Sequence, residues 1–271
     1  MRITVITVNY NNRSGLDKTI ESVCNQTYSD IEYIIVDGKS NDGSQNSIHK
    51  LQERINSLNF KSLICISEPD CGIYDAMNKG IKLSKGDYII FMNSGDYFSC
   101  STILNDIFRN RKYNEDLLIG RQLYINKLGK KGISPKLRIS DFSITYFLSS
   151  TIPHQATFIK RDLFEKIGYY DINYKVSADW VFWIKAIIEN KCTIKLINER
   201  ISYMEVGGVS ADMEKCYRDM SKYMEECLNN GYITWQDIFK YSTQGRMQEY
   251  CSRNKLLNLI NKIIVGIGKR I

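Results

Sequence analysis

The chain has 271 residues, 43% of them hydrophobic and 25% charged, with a formal net charge of +7. That length and balance exclude a disordered tail, a collagen-like repeat and a disulfide mini-scaffold, and they allow a sizeable core without metals or cross-links. Eight cysteines, at 24, 65, 71, 100, 192, 216, 227 and 251, include no CxxC pair, and there are two histidines. This pattern argues against structural zinc and for reduced thiols acting as small apolar side chains in a cytoplasmic protein.

No apolar run reaches membrane-spanning length, and the run at residues 3–8 is too short for a signal peptide, so it reads as a buried strand. Residues 16–24 carry apolar positions on one helical face. Residues 31–36 form a second buried strand, followed by a helix marked by Ile48, Leu51, Ile55 and Leu58. A third strand at 63–66 leads to a helix bearing Ile73, Met77 and Ile81, and residues 88–92 make a fourth strand. This order predicts an α/β fold with a mostly parallel central sheet flanked by helices, in which ligands bind beyond the carboxyl ends of the strands.

Further along, residues 117–125 and 155–160 read as strands, 178–189 as a helix and 192–197 as a strand. After Gly207-Gly208, residues 212–230, 235–250 and 254–267 read as helices. The expected organisation is one domain over 1–206, with halves at 1–100 and 101–206, and a helical extension over 207–271. The extension ends in a basic, apolar tail whose last twenty residues hold five basic side chains and no acidic one. Most of the charge excess is therefore a tail property rather than a nucleic-acid stripe. Such a tail can lie on an anionic membrane surface, or pack on the core or a second subunit.

The loops after the strands carry the polar residues. Asn9-Tyr10-Asn11-Asn12 follows the first strand and lacks the glycines of a dinucleotide-binding turn. Asp37-Gly38-Lys39-Ser40-Asn41-Asp42 follows the second; it suits recognition of a base or ribose, and DG is equally a turn signal. Asn93-Ser94-Gly95-Asp96 follows the fourth. Acids converging there would repel one another unless a hard divalent cation, shared with a diphosphate, lies between them.

Together these stretches, with Glu68-Pro69-Asp70-Cys71-Gly72-Ile73-Tyr74-Asp75-Ala76-Met77-Asn78-Lys79-Gly80, Pro153-His154-Gln155 and Ser177-Ala178-Asp179-Trp180, resemble inverting family 2 glycosyltransferases of the GT-A fold. The similar branch builds bacterial O-antigen, capsule and exopolysaccharide. The resemblance implies donor-binding roles for Asn9, Tyr10, Asp37, Gly38, Ser40, Asp42, Asn78, Asn93, Ser94 and Gly95, with Asp37 on the base and the helix through Asn78 and Gly80 closing over the nucleotide. It implies metal binding at Asp96, with Mn2+ or Mg2+ as cofactor, and an acceptor, diphosphate or metal contact at His154. Asp179 would be the general base, and 206–210 a loop that orders over the donor, a stretch that equally suits a simple linker into the helical tail. The residue type at 179 also suits a cap for a helix starting at Trp180. His49 reads as surface.

Two departures stand out: Asn93 and Gly95 replace acids that many relatives carry, and Met77 replaces an arginine. The implied activity is transfer of a sugar from a nucleotide-diphosphate donor, UDP-linked, to a glycan or lipid-diphosphate-linked acceptor. The alternatives are a nucleotide-sugar-binding or scaffolding subunit that has lost turnover, and a nucleotidyltransferase, which would need a glycine-rich basic loop where Asn9–Asn12 stands.

Overall fold

Unbroken β-branched runs suit strands buried on both faces, and four of them build the first half of the molecule. The computed structural model describes residues 1–54, 58, 60–125, 128–205, 212–234 and 236. The first half is β1 (Ile3–Asn9), α1 (Arg13–Cys24), β2 (Ile31–Asp37), α2 (Ser44–Glu53), β3 (Ser62–Ser67), α3 (Ile73–Leu83) and β4 (Tyr88–Phe91). The second is β5 (Tyr97–Phe98), α4 (Ile103–Phe108), β6 (Leu117–Ile125), β7 (Lys131–Ile133), α5 (Ile144–Phe147), β8 (Thr157–Lys160), α6 (Arg161–Ile167), α7 (Ala178–Ile184), β9 (Ile194–Glu205) and α8 (Met213–Asn229).

The strands form one nine-stranded sheet in the order β3-β2-β1-β4-β8-β6-β9-β5, with β7 paired to β6. Strands β1 to β4 are mutually parallel, as the alternation of strands and helices requires. Beyond β4 the sheet is mixed: β8 runs antiparallel to both β4 and β6, β9 is parallel to β6, and β5 is antiparallel to β9. Because β8 opposes both neighbours, β6 runs in the direction of β4, and the carboxyl ends of β1, β2, β4, β6 and β9 share one edge.

Successive side chains of each central strand enter opposite cores. Ile6, Val8, Ile34, Val36, Ile89 and Phe91 join α3, α5, α6, α7 and α8 on one face. Ile3, Val5, Ile31, Tyr33, Ile35 and Ile90 join α1, α2 and α4 on the other. Gly80 lets α3 approach the sheet, since a Cβ there would lie 2.6 Å from the Ile6 side chain.

Several boundaries differ from the sequence reading. The expected helix at 178–189 is α-helical only to Ile184 and continues as one π-helical stretch to Glu189. The strand expected from 155 starts at Thr157, after a 3₁₀ turn over His154–Ala156, and the one expected at 192–197 extends to Glu205. The short elements β5, β7, α4, α5 and α6 had not been expected. The boundary at 206, the 206–210 loop, the helices at 235–250 and 254–267 and the basic tail lie outside the described residues. No helix among the described residues is long and apolar enough to cross a membrane.

Candidate active site

At the shared edge, Asp37 ends β2 fully buried, and its carboxylate is saturated with donors. Asn9 Nδ2 donates to Oδ1 at 2.8 Å, Ser40 Oγ to Oδ1 at 2.5 Å, the Ser40 amide to Oδ2 at 3.0 Å and Ser67 Oγ to Oδ2 at 2.7 Å. Burial pushes its pKa up, and the bonds from Ser40, Ser67 and Asn9 outweigh that and hold it below the usual carboxylate range. The charge is thus fixed at the strand end. Tyr10 beside it is 67% exposed, leaving an aromatic surface at the edge.

Gly38 is where the backbone is approached most closely. A Cβ there would lie 2.5 Å from Asp70 Oδ2 and 3.1 Å from the Tyr10 ring. Asp70, fixed by the Gly72 amide at 2.9 Å, therefore leans over the same pocket floor. Sequence reading had assigned it no role, although its place in the Pro69-Asp70-Cys71-Gly72 turn after β3 was a usable signal.

Asn93–Asp96 is a tight turn closed by the Asp96 amide on the Asn93 carbonyl (2.8 Å), with Gly95 at φ +105°, a conformation that suits glycine. The Thr19 hydroxyl of α1 donates to the Asp96 carbonyl at 2.7 Å, and Asn12 Nδ2 donates to the Ser94 carbonyl at 3.0 Å. Asp96 is 7% exposed, and Asn93 Oδ1 is buried with no hydrogen-bond partner. No three His, Cys, Asp or Glu side chains gather into a metal cage among the described residues. One carboxylate with an unspent amide oxygen nearby in the same turn fits a hard cation that keeps waters and shares a ligand's phosphates.

From this turn a hydrogen-bonded chain crosses to α7. Asn93 Nδ2 lies 3.2 Å from His154 Nε2, His154 Nδ1 lies 3.1 Å from Asp179 Oδ2, and the Tyr74 hydroxyl donates to Asp179 Oδ1 at 2.7 Å. This donor order assigns the imidazole proton to Nδ1, as an amide N–H faces Nε2. Burial pushes the Asp179 pKa up; the hydrogen bonds from His154 and from the Tyr74 hydroxyl more than offset it, so the carboxyl sits below its ordinary value. Tyr74 on α3, buried and also bonded to the Val176 carbonyl at 3.1 Å, is a site residue that sequence reading missed.

Asp179 is not the helix cap expected from sequence. Helix α7 starts one residue earlier, at Ala178, so the cap position falls to Ser177 and Asp179 lies in the first turn. Helix α8 fixes the entry to this turn: Asp219 Oδ2 accepts from the Val176 amide at 2.8 Å and the Ser177 amide at 3.2 Å.

Other residues singled out in the sequence serve the frame. Asp42 accepts from Ser44 Oγ (2.6 Å) and from the Arg13 amide (2.8 Å), joining the entries of α2 and α1. Asn78 spends both ends of its amide on the Tyr170 backbone, donating at 2.8 Å and accepting at 3.0 Å, which ties α3 to the loop after α6. Buried Glu32 caps the 85–86 turn and Thr4 at the opposite edge of the sheet, away from the site.

A parallel-stranded half continued by a mixed second half, with helices on both faces of one sheet, is the GT-A glycosyltransferase fold. Solved structures share that fold over most of this chain: S. aureus TarS 1-349 in complex with UDP-GlcNAc (TM-score 0.65, 20% identity, 84% of this chain and 67% of that one) and the mannosyltransferase PcManGT from Pyrobaculum calidifontis in complex with GDP-Man and Mn2+ (TM-score 0.61, 16% identity, 84% and 64%). The chain spans 66% of the TarS fragment crystallised with UDP. Among curated proteins, an uncharacterized glycosyltransferase of Mycobacterium tuberculosis is 31% identical over 258 residues, 89% of this chain and 94% of that protein. A PGL/p-HBAD biosynthesis glycosyltransferase of Mycobacterium bovis is 28% identical over 211 residues, 76% and 78% of the two chains. The glycosyl transferase family 2 model matches residues 4–168, and the chain belongs to that family. The match ends before α7, so Asp179 lies beyond it.

Proposed function

We propose that the protein transfers a sugar, with inversion, from a nucleotide-diphosphate donor to a hydroxyl of a glycan or glycolipid acceptor. The observation that supports this reading is the hydrogen-bonded chain from the Asn93–Asp96 turn through His154 to Asp179, which links a fixed carboxylate to the turn assigned to the donor's phosphates.

Asp37, whose carboxylate accepts from Asn9, Ser40 and Ser67, fixes those side chains and the negative charge at the base and ribose end of the site, with Tyr10 offering a face for base stacking, worth about 1–3 kcal/mol. Asp96, with Asn93 Oδ1 nearby, would hold a Mn2+ or Mg2+ ion, which when bound neutralises charge on the departing diphosphate. Asp179 takes the proton of the acceptor hydroxyl as its oxygen bonds to the anomeric carbon and the bond to the diphosphate oxygen breaks. His154 and Tyr74, one on each carboxylate oxygen, keep Asp179 ionised and oriented. A donor linked α to its nucleotide then gives a β-linked product.

UDP-linked sugars are the favoured donors, in keeping with the TarS complexes. A glycolipid acceptor accords with the relative named for PGL/p-HBAD biosynthesis. The test is thermal unfolding against a panel of nucleotide sugars with and without Mn2+, since a ligand of the native state raises its melting temperature by mass action. A UDP-sugar that stabilises more strongly with the ion supports the reading; no stabilisation by any nucleotide sugar overturns it.

A further inference from the structure

The β6–β7 hairpin and the segment after it have no part in the chemistry above, yet their composition is unlike the rest of the chain. Residues 117–140 hold six basic side chains and no acidic one. Outside this stretch and the 252–271 tail, acidic residues outnumber basic ones by 30 to 26. Arg121 donates to the Ser134 carbonyl at 2.9 Å, Arg138 pairs with Asp141 at 3.2 Å, and Lys131 Nζ lies 5.8 Å from the centre of the Tyr203 ring. Lys130, Lys131 and Lys136 are exposed. Between and beside them stand Leu128, 82% exposed and the most exposed large apolar side chain among the described residues, and Ile139 at 54%.

Register places this feature. Leu117 and Ile89 both pair with Ile159 of β8, so Ile119 is level with Phe91 at the end of β4. Ile125 lies six residues further in the same direction, about 20 Å at 3.3 Å per residue. Strand β7 folds back on it, pairing Lys131 with Ile125. The hairpin therefore overhangs the edge of the sheet at which Asp37, the Asn93–Asp96 turn and His154 stand.

We propose that this hairpin docks on the surface of an anionic lipid bilayer, with Leu128 and Ile139 entering the interface and Lys130, Lys131 and Lys136 facing headgroup phosphates. The charge is complementary, and an apolar tip flanked by cations is what an interface rewards; a polyanion in water would leave Leu128 with no use. The consequence is geometric: the overhang turns the site's edge toward the bilayer. The inference is independent of the transfer reaction and is read from binding alone.

The full chain is sedimented with vesicles of phosphatidylglycerol and phosphatidylcholine in equal parts, and with phosphatidylcholine alone. Binding to the anionic vesicles only, weakened by added salt, is expected. The variant Lys130→Gln/Lys131→Gln/Lys136→Gln should need about 100-fold more lipid for half-binding, three cations each contributing about fivefold, with its melting temperature retained. Leu128→Gln should also weaken binding while leaving the salt dependence in place. Wild-type affinity in the triple variant, as when the tail alone binds, overturns the proposal, and so does equal binding to neutral vesicles or none to either.

Discussion

The Tyr74 hydroxyl lies 2.7 Å from Asp179 Oδ1, a hydrogen bond that joins the helix after β3 to the helix carrying the proposed base across 105 residues of sequence. It stabilises the ionised carboxylate, so its loss should raise the Asp179 pKa. A base must be ionised, so activity is present above that pKa and disappears as pH falls through it. Tyr74→Phe should therefore move the acid limb of the kcat/KM profile to higher pH while donor affinity is retained. A lower rate with an unmoved limb would assign Tyr74 to packing alone.

Replacing Asp179 itself separates binding from turnover. Asp179→Asn keeps the hydrogen-bonding size and loses the proton acceptor, so kcat should fall about 10²–10⁴-fold. The donor's dissociation constant, measured by calorimetry, should change little. Normal turnover in this variant would remove Asp179 from the chemistry.

Asp37 has a structural part beside the donor-binding part proposed for it. Asp37→Ala leaves the donors of Asn9, Ser40 and Ser67 unpaired at a buried strand end and should cost about 1–3 kcal/mol in denaturant unfolding. Stabilisation by nucleotides should vanish with it. Because the Asp37 pKa is lowered in the fold, its contribution to wild-type stability is present above the ordinary carboxylate pKa and fades as pH falls through the depressed value. The alanine variant should accordingly show a shallower loss of stability in acid.

Gly38→Ala tests the pocket floor. The new methyl would meet Asp70 Oδ2 at 2.5 Å, and Asp70 can swing aside, so the melting temperature should be nearly kept. Donor KM should rise with a smaller change in kcat. An unchanged KM would place the Asp70 side of the floor outside the donor's reach.

Asp96→Asn addresses the cation. Nucleotide stabilisation in the absence of metal should persist, and the extra stabilisation given by Mn2+ should be lost. Retention of the Mn2+ effect would move the ion to other ligands.

The first half of the fold was legible because β1, β2 and β4 are apolar on both faces and their helices carry apolar positions at helical spacing; Asp37 and the 93–96 turn follow directly from those strand ends. The second half was less so. Whether β8 lies parallel or antiparallel to β4 depends on pairings distant in sequence, and β5 and β7, of two and three residues, are too short to show a period. Asp179 and His154 were visible as residue types in a resemblance, whereas their joint contact and the Tyr74 hydroxyl came only from the fold, which brings the turn before β8 and the start of α3 to the first turn of α7. The bonds of Asn78 to the Tyr170 backbone were hidden for the same reason: a buried amide looks alike in sequence whether it meets a ligand or a neighbouring backbone.

Helix α8 grips the backbone before Asp179 through Asp219, although it lies apart from the strands that carry the proposed donor site. A chain cut ahead of α8 would keep the nucleotide cradle while the turn bearing the proton acceptor loosened. Helix α8 acts as a splint, and its docking offers a lever by which occupancy and turnover could be uncoupled.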